Sequence, residues 1–100
     1  MNTSTFGEKI RQLREDRNML LRELAAGLQM DTALLSKIER GERKARKEHL
    51  KQFADILQIS EEELLTLWLA DQVYDLLKDD ENAHAALRVA EDKIKYGQKN

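Results

Sequence analysis

Six cations crowd the stretch SKIERGERKARKEHL, residues 36–50. Within it, the run from Lys37 to Lys47 holds Lys37, Arg40, Arg43, Lys44, Arg46 and Lys47 against only two acids, Glu39 and Glu42. Guanidinium and ammonium groups stay protonated at neutral pH, so a cluster of this kind binds anions, phosphate oxygens above all, and breaks no bonds. The chain as a whole is slightly acidic, with formal net charge -2 and pI near 5.7. Split in half, residues 1–50 carry 11 Lys+Arg against 8 Asp+Glu, net +3, and residues 51–100 carry 6 against 11, net -5. The overall balance alone argues against a polyanionic partner. The distribution argues for one, because local potential governs encounter.

No other group of residues competes for a chemical role. His49 and His84 are far apart in sequence and have no cysteine beside them, so no metal site is expected. The acids Glu61–Glu63 read as the first turn of a helix, where the dipole favours carboxylates. Asp79–Glu81 read as a helix break without calcium-loop spacing. There is no nucleophile–base pair, no glycine-rich phosphate loop and no zinc signature. Neither an enzyme nor a cofactor is expected.

The elements that position the cluster are helical. No proline, only four glycines and an excess of Leu, Ala, Glu, Lys, Gln and Arg favour helix throughout. Phe6, Ile10 and Leu13 recur at i, i+4, i+7 after the polar NTST, predicting a helix over 5–16. Leu21, Leu24, Ala25 and Leu28 share a stripe and predict a second helix near 20–28. A third starts at Asp31 or Thr32, buries Leu35 and Ile38, and meets Gly41 where a helix C-terminus favours a left-handed residue. Leu50, Phe53, Ala54 and Leu57 make a fourth. Ser60 and Glu63 form a capping box that opens a longer fifth through Leu64, Leu65, Trp68, Leu69, Val73, Leu76 and Leu77. KDDEN interrupts it, and Ala83, Ala86, Leu87, Ala90 and Ile94 mark a final amphipathic helix.

One hundred residues make a single small domain with or without an appendage, and 41% apolar content is enough for a core. No apolar run approaches the roughly 20 residues that span a bilayer. With no cysteine and no signal-peptide pattern, a soluble cytoplasmic protein is the expectation. The second and third helices are separated by only a few residues, so they must cross at a large angle and pack closely, with small Ala25 at the crossing. That is the helix-turn-helix pattern, whose second helix can enter a major groove.

Over residues 6 to about 65 the chain resembles the Xre, or phage repressor and Cro, family of helix-turn-helix DNA-binding domains. FGEKIRQLRED, LRELAAGL, LLSKIERGER and LKQFADILQISEEELL carry the likeness. The resemblance implies an all-α, five-helix repressor-like domain over 1–65 and a helical extension over 66–100. It implies double-stranded DNA as partner, with Thr32, Ala33, Ser36 and Lys37 facing bases. A lysine can donate to guanine, a hydroxyl serves either kind of edge, and a methyl meets thymine. Arg22, Arg40, Arg43, Lys44, Arg46 and Lys47 correspond to phosphate-binding positions, which fix register without specifying sequence. Arg14 and Glu39 match a family pair joining helices one and three.

The sequence departs from the family pattern at four places. Gln29 and Gln58 replace glycines after the second and fourth helices. A left-handed backbone there costs a non-glycine residue about 1 kcal/mol, so turns of different detail are expected. Leu21 replaces a phosphate-binding glutamine at the start of the second helix, a contact Arg22 is placed to supply. Ala45 replaces a proline in the basic loop.

Trp68, Leu69, Val73, Leu76 and Leu77 offer more apolar surface than a lone surface helix carries. Two packings satisfy them: against the first and last helices of the same chain, or against the same patch of a second copy across a two-fold axis. The expected function is a transcriptional regulator that binds an inverted-repeat operator as a homodimer, of the restriction–modification controller or phage-repressor type. The alternative is an antitoxin-like or adaptor module in which the helix-turn-helix is scaffold alone.

Overall fold

Ser4 has extended backbone angles, and its hydroxyl accepts the Gly7 N–H at 2.8 Å, starting the first helix. The computed structural model describes residues 4–98, and every regular element among them is helical. They are α1 (Thr5–Asp16), α2 (Leu21–Leu28), α3 (Thr32–Glu39), a 3₁₀ turn at Lys47–His49, α4 (Leu50–Leu57), α5 (Glu61–Leu77) and α6 (Ala83–Gln98). Asn2 and Thr3 of the polar N-terminal run lie outside the described residues. No helix among those described is long and apolar enough to cross a membrane.

The apolar stripes converge on one core. Phe6, Ile10, Leu24, Leu28, Leu35, Ile38, Leu50, Phe53, Leu57 and Leu64 are all buried in it. Phe6 and Phe53 meet edge to face at its centre, with ring centroids 5.6 Å apart and planes at 89°. Each large side chain removed from water contributes about 1.5–3 kcal/mol. Helices α2, α3 and α4 have eight residues each and would be marginal in isolation, so this burial holds them. Gly7 lets α1 lie against the end of α3, since a Cβ there would collide with the carbonyl oxygens of Ile38 and Glu39.

The two glutamines keep the left-handed turns that glycine would make. Gln29 has φ 54° and ψ 44°, and Gln58 has φ 55° and ψ 51°. Met30 N–H closes on Ala25 O at 2.9 Å and Ile59 N–H on Ala54 O at 3.1 Å, which turns half-buried Met30 and Ile59 onto the core. The expectation of altered turns is not met, because apolar burial on the far side of each glutamine outweighs its backbone strain.

Helix α5 runs unbroken across the expected division at residues 65 and 66 and packs on α1 and α4. Its Asp71 reaches the start of α1, 66 residues away in sequence. That carboxylate accepts from the Ser4 hydroxyl (2.9 Å), the Thr5 N–H (2.9 Å), the Thr5 hydroxyl (2.7 Å) and the Phe6 N–H (3.0 Å). Partial burial pushes the Asp71 pKa up, but these four donors outweigh it and hold the carboxyl below its ordinary value. Helix α6 follows a short acidic turn. Apart from half-buried Ala83, its described side chains are exposed.

Candidate nucleic-acid interface

Between Leu28 and Thr32 the chain turns sharply, and Asp31 caps α3 by accepting the Ala33 N–H at 3.4 Å. Leu35 and Ile38 of α3 face into the core, half-buried Leu34 packs against it, and Glu39 faces α1. The opposite face is open. Thr32, Ala33 and Lys37 are exposed there, and Ser36 is half-buried at its edge. The structure thus brings the four expected base-facing residues onto one surface. Leu21 packs inward on the core, while Arg22 beside it is exposed.

Arg14 and Glu39 lock α3 to α1. Arg14 donates Nε–H to Glu39 Oε2 at 2.8 Å and a terminal N–H to Oε1 at 3.0 Å, and its other terminal nitrogen donates to the Met19 carbonyl at 2.9 Å. The two side chains are 13% and 5% exposed. Hydrogen bonding to Glu39 raises the Arg14 pKa above its ordinary value despite burial. The pair is committed to structure and faces away from the open surface.

The basic loop begins where α3 ends. Gly41, at φ 78°, reverses the chain: Glu42 N–H donates to Lys37 O at 2.8 Å and Gly41 N–H to Ile38 O at 3.1 Å. This is a Schellman motif, with glycine at its left-handed position. Among the described residues Arg22, Lys37, Arg43, Arg46 and Lys47 make no ion pair, whereas Arg40 pairs with Glu42 at 3.1 Å. Both partners of that pair are exposed, so phosphate can displace the carboxylate at little cost.

Lys44 and Ala45 are held from behind. The Ala45 side chain is buried and its carbonyl accepts the Trp68 indole N–H at 2.8 Å. Lys44 Nζ lies 5.6 Å from the centroid of the Trp68 ring and donates to Gln72 Oε1 at 3.4 Å. Trp68, named in the sequence as a candidate for self-association, therefore faces its own basic loop. Leu69, Val73 and Leu76 are exposed and Leu77 is half-buried. Sequence reasoning missed the roles of Gly7, Asp71 and Gln72. One signal was present: an indole on a mostly aliphatic helix carries an N–H that needs an acceptor when it is buried.

Residues 5–67 match the family described as helix-turn-helix domain. Among solved structures, the restriction-modification controller protein C.AhdI from Aeromonas hydrophila is similar over 61% of this chain and 92% of its own, with 28% identity and a TM-score of 0.57. The clp gene regulator ClgR from Corynebacterium glutamicum is similar over 91% of this chain and 92% of its own, at 25% identity and TM-score 0.59. A point mutant of the restriction-modification controller protein C.Esp1396I, 23% identical over 77% of this chain and 92% of its own with TM-score 0.56, shares the fold. No curated protein matches this sequence.

Proposed function

The chain belongs to the helix-turn-helix domain family, and from that premise we propose that it regulates transcription by binding an inverted-repeat operator as a homodimer. It is a DNA-binding regulator. In the finer reading, α3 enters a major groove and presents Thr32, Ala33, Ser36 and Lys37 to base edges. Arg22, Arg40, Arg43, Lys44, Arg46 and Lys47 take phosphates on either side. One observation carries this: among the described residues the outward face of α3 is uncovered, and Arg43, Arg46 and Lys47 of the loop beyond it are exposed and make no ion pair. Lys37 is the residue able to make a bidentate contact with guanine, worth about 1–3 kcal/mol of discrimination. The short side chains beside it leave part of the specificity to DNA shape.

The exposed apolar face of α5 supports the dimer. Leu69, Val73 and Leu76 form an exposed apolar strip, Leu76 being 80% exposed, with Tyr74 beside it. A patch of this kind suits a two-fold contact with its own copy. Two α3 helices then read half-sites about 34 Å apart. Similarity to C.AhdI favours a restriction–modification controller as the type of regulator, with a phage-type repressor as the alternative.

Selection of bound sites from random duplexes tests this reading. An inverted repeat with half-sites one helical turn apart is the expected product, and Lys37→Ala should relax preference at a single position in each half. Recovery of sequences without symmetry would remove the dimer. The exposed apolar residues of α5 and α6 favour a second reading, an antitoxin-like or adaptor module. That module would bind its protein partner with little salt dependence and would not retain duplex DNA.

A further inference from the structure

Helix α5 shows two different faces to its surroundings. Trp68, Asp71 and Gln72 point at α1 and the basic loop, while Leu69, Val73 and Leu76 point outward. At 3.6 residues per turn these are adjacent stripes of one rigid rod. Asp71 fixes the rotation of that rod, because four donors at the start of α1 converge on its carboxylate. With rotation fixed, Trp68 lies one turn earlier on the same face and reaches the loop.

We propose that Trp68 and Gln72 are positioning residues for DNA binding: they hold the Ala45 carbonyl and the Lys44 ammonium so that the basic loop meets the phosphates already ordered. The inference rests on the reading of the loop as a phosphate contact and adds to it a part played by α5. The loop otherwise has few internal restraints. Between the Schellman turn at Gly41 and the 3₁₀ turn at Lys47 only Ala45 is buried, and its carbonyl is held from another element. The Lys44 ammonium is drawn to the face of the indole and to the Gln72 oxygen, and at 5.6 and 3.4 Å neither contact uses up its three N–H donors. The ammonium remains available to a phosphate while its stem stays in place. A long flexible side chain held this way loses less entropy on binding.

Trp68→Phe tests the proposal, because phenylalanine keeps a ring under Lys44 and removes the indole N–H. Binding to a selected operator and to a random duplex is measured by fluorescence anisotropy over a range of salt, with helical content and dimer formation checked in parallel. Trp68→Phe should weaken both duplexes by a similar factor of about three to ten, the size of one lost hydrogen bond, and leave the ratio between them unchanged. Gln72→Leu should weaken both in the same way, and it decides the matter if Trp68→Phe does not fold. In a Lys44→Ala background, Gln72→Leu should have no further effect. Trp68 is the sole tryptophan, so its emission should change when parent protein takes up random duplex, and that change should shrink in Lys44→Ala. A parent that binds duplex DNA while folded Trp68→Phe and Gln72→Leu bind equally well overturns the positioning role alone. A parent that binds no duplex overturns it together with the DNA-binding reading.

Discussion

Removing Arg14 is the sharpest test of how α3 is held. Its guanidinium makes a two-pronged contact with Glu39 at 2.8 and 3.0 Å, and the two side chains are 13% and 5% exposed. In Arg14→Met the stem is replaced but the Glu39 carboxylate stays buried without its guanidinium. Breaking one side of a buried pair costs about 3–5 kcal/mol, and partial exposure on the Arg14 side puts this pair at the lower end, about 3 kcal/mol. For a domain of this size each kcal/mol lowers the melting point by about 4–8 °C, giving a fall of roughly 12–24 °C. Urea unfolding should show the same loss as a lower midpoint at constant slope. The double variant Arg14→Met, Glu39→Leu removes both charges and should return to within about 1 kcal/mol of the parent. A loss below about 1 kcal/mol in the single variant is the value of an exposed pair, and it would refute the argument from burial.

Three further outcomes follow from the geometry. Gln29→Gly and Gln58→Gly each relieve a left-handed backbone worth about 1 kcal/mol and should raise stability by no more than about 0.6 kcal/mol in urea unfolding, after the greater freedom of glycine in the unfolded chain is subtracted. Asp71 has a lowered pKa in the fold, so its contribution is fully present above the unfolded value of about 3.9 and is lost as pH falls through the lower folded value. The stability difference between parent and Asp71→Asn should therefore be constant near neutrality and shrink only in acid, as read from melting curves against pH; a difference that vanished by about pH 6 would contradict the clamp. Val73→Glu places charge on the exposed strip and should give monomers in sedimentation with unchanged helical content, whereas an unaltered dimer would move the interface off α5.

The parts of this molecule written locally were legible in the sequence. Each of the six described α-helices has an apolar stripe at helical spacing, and Ser4, Asp31, Ser60 and Gly41 mark their ends, because these signals depend only on residues within a turn or two. The cluster from Lys37 to Lys47 was equally plain, since charge density needs no fold to be counted. Contacts across long separations were not. Nothing near Asp71 predicts that it caps a helix 66 residues earlier, and the apolar spacing of α5 gives Trp68 and Leu69 the same value although they face different surroundings. The glutamine turns show the converse limit. Local preference argued for a changed backbone, and burial of Met30 and Ile59 overrode it.

The cations beyond Gly41 are proposed to grip DNA strands while α3 lies in the groove beside them. The most direct test is the salt dependence of binding to random duplex by the parent and by Arg43→Ala, Arg46→Ala, since each phosphate contact contributes about 0.9 to the slope of log K against log salt. A steep parent slope is expected, with a double-variant slope shallower by about two and affinity reduced equally on every sequence. An unchanged slope would mean that these two cations do not touch the backbone, and the proposed interface would be wrong.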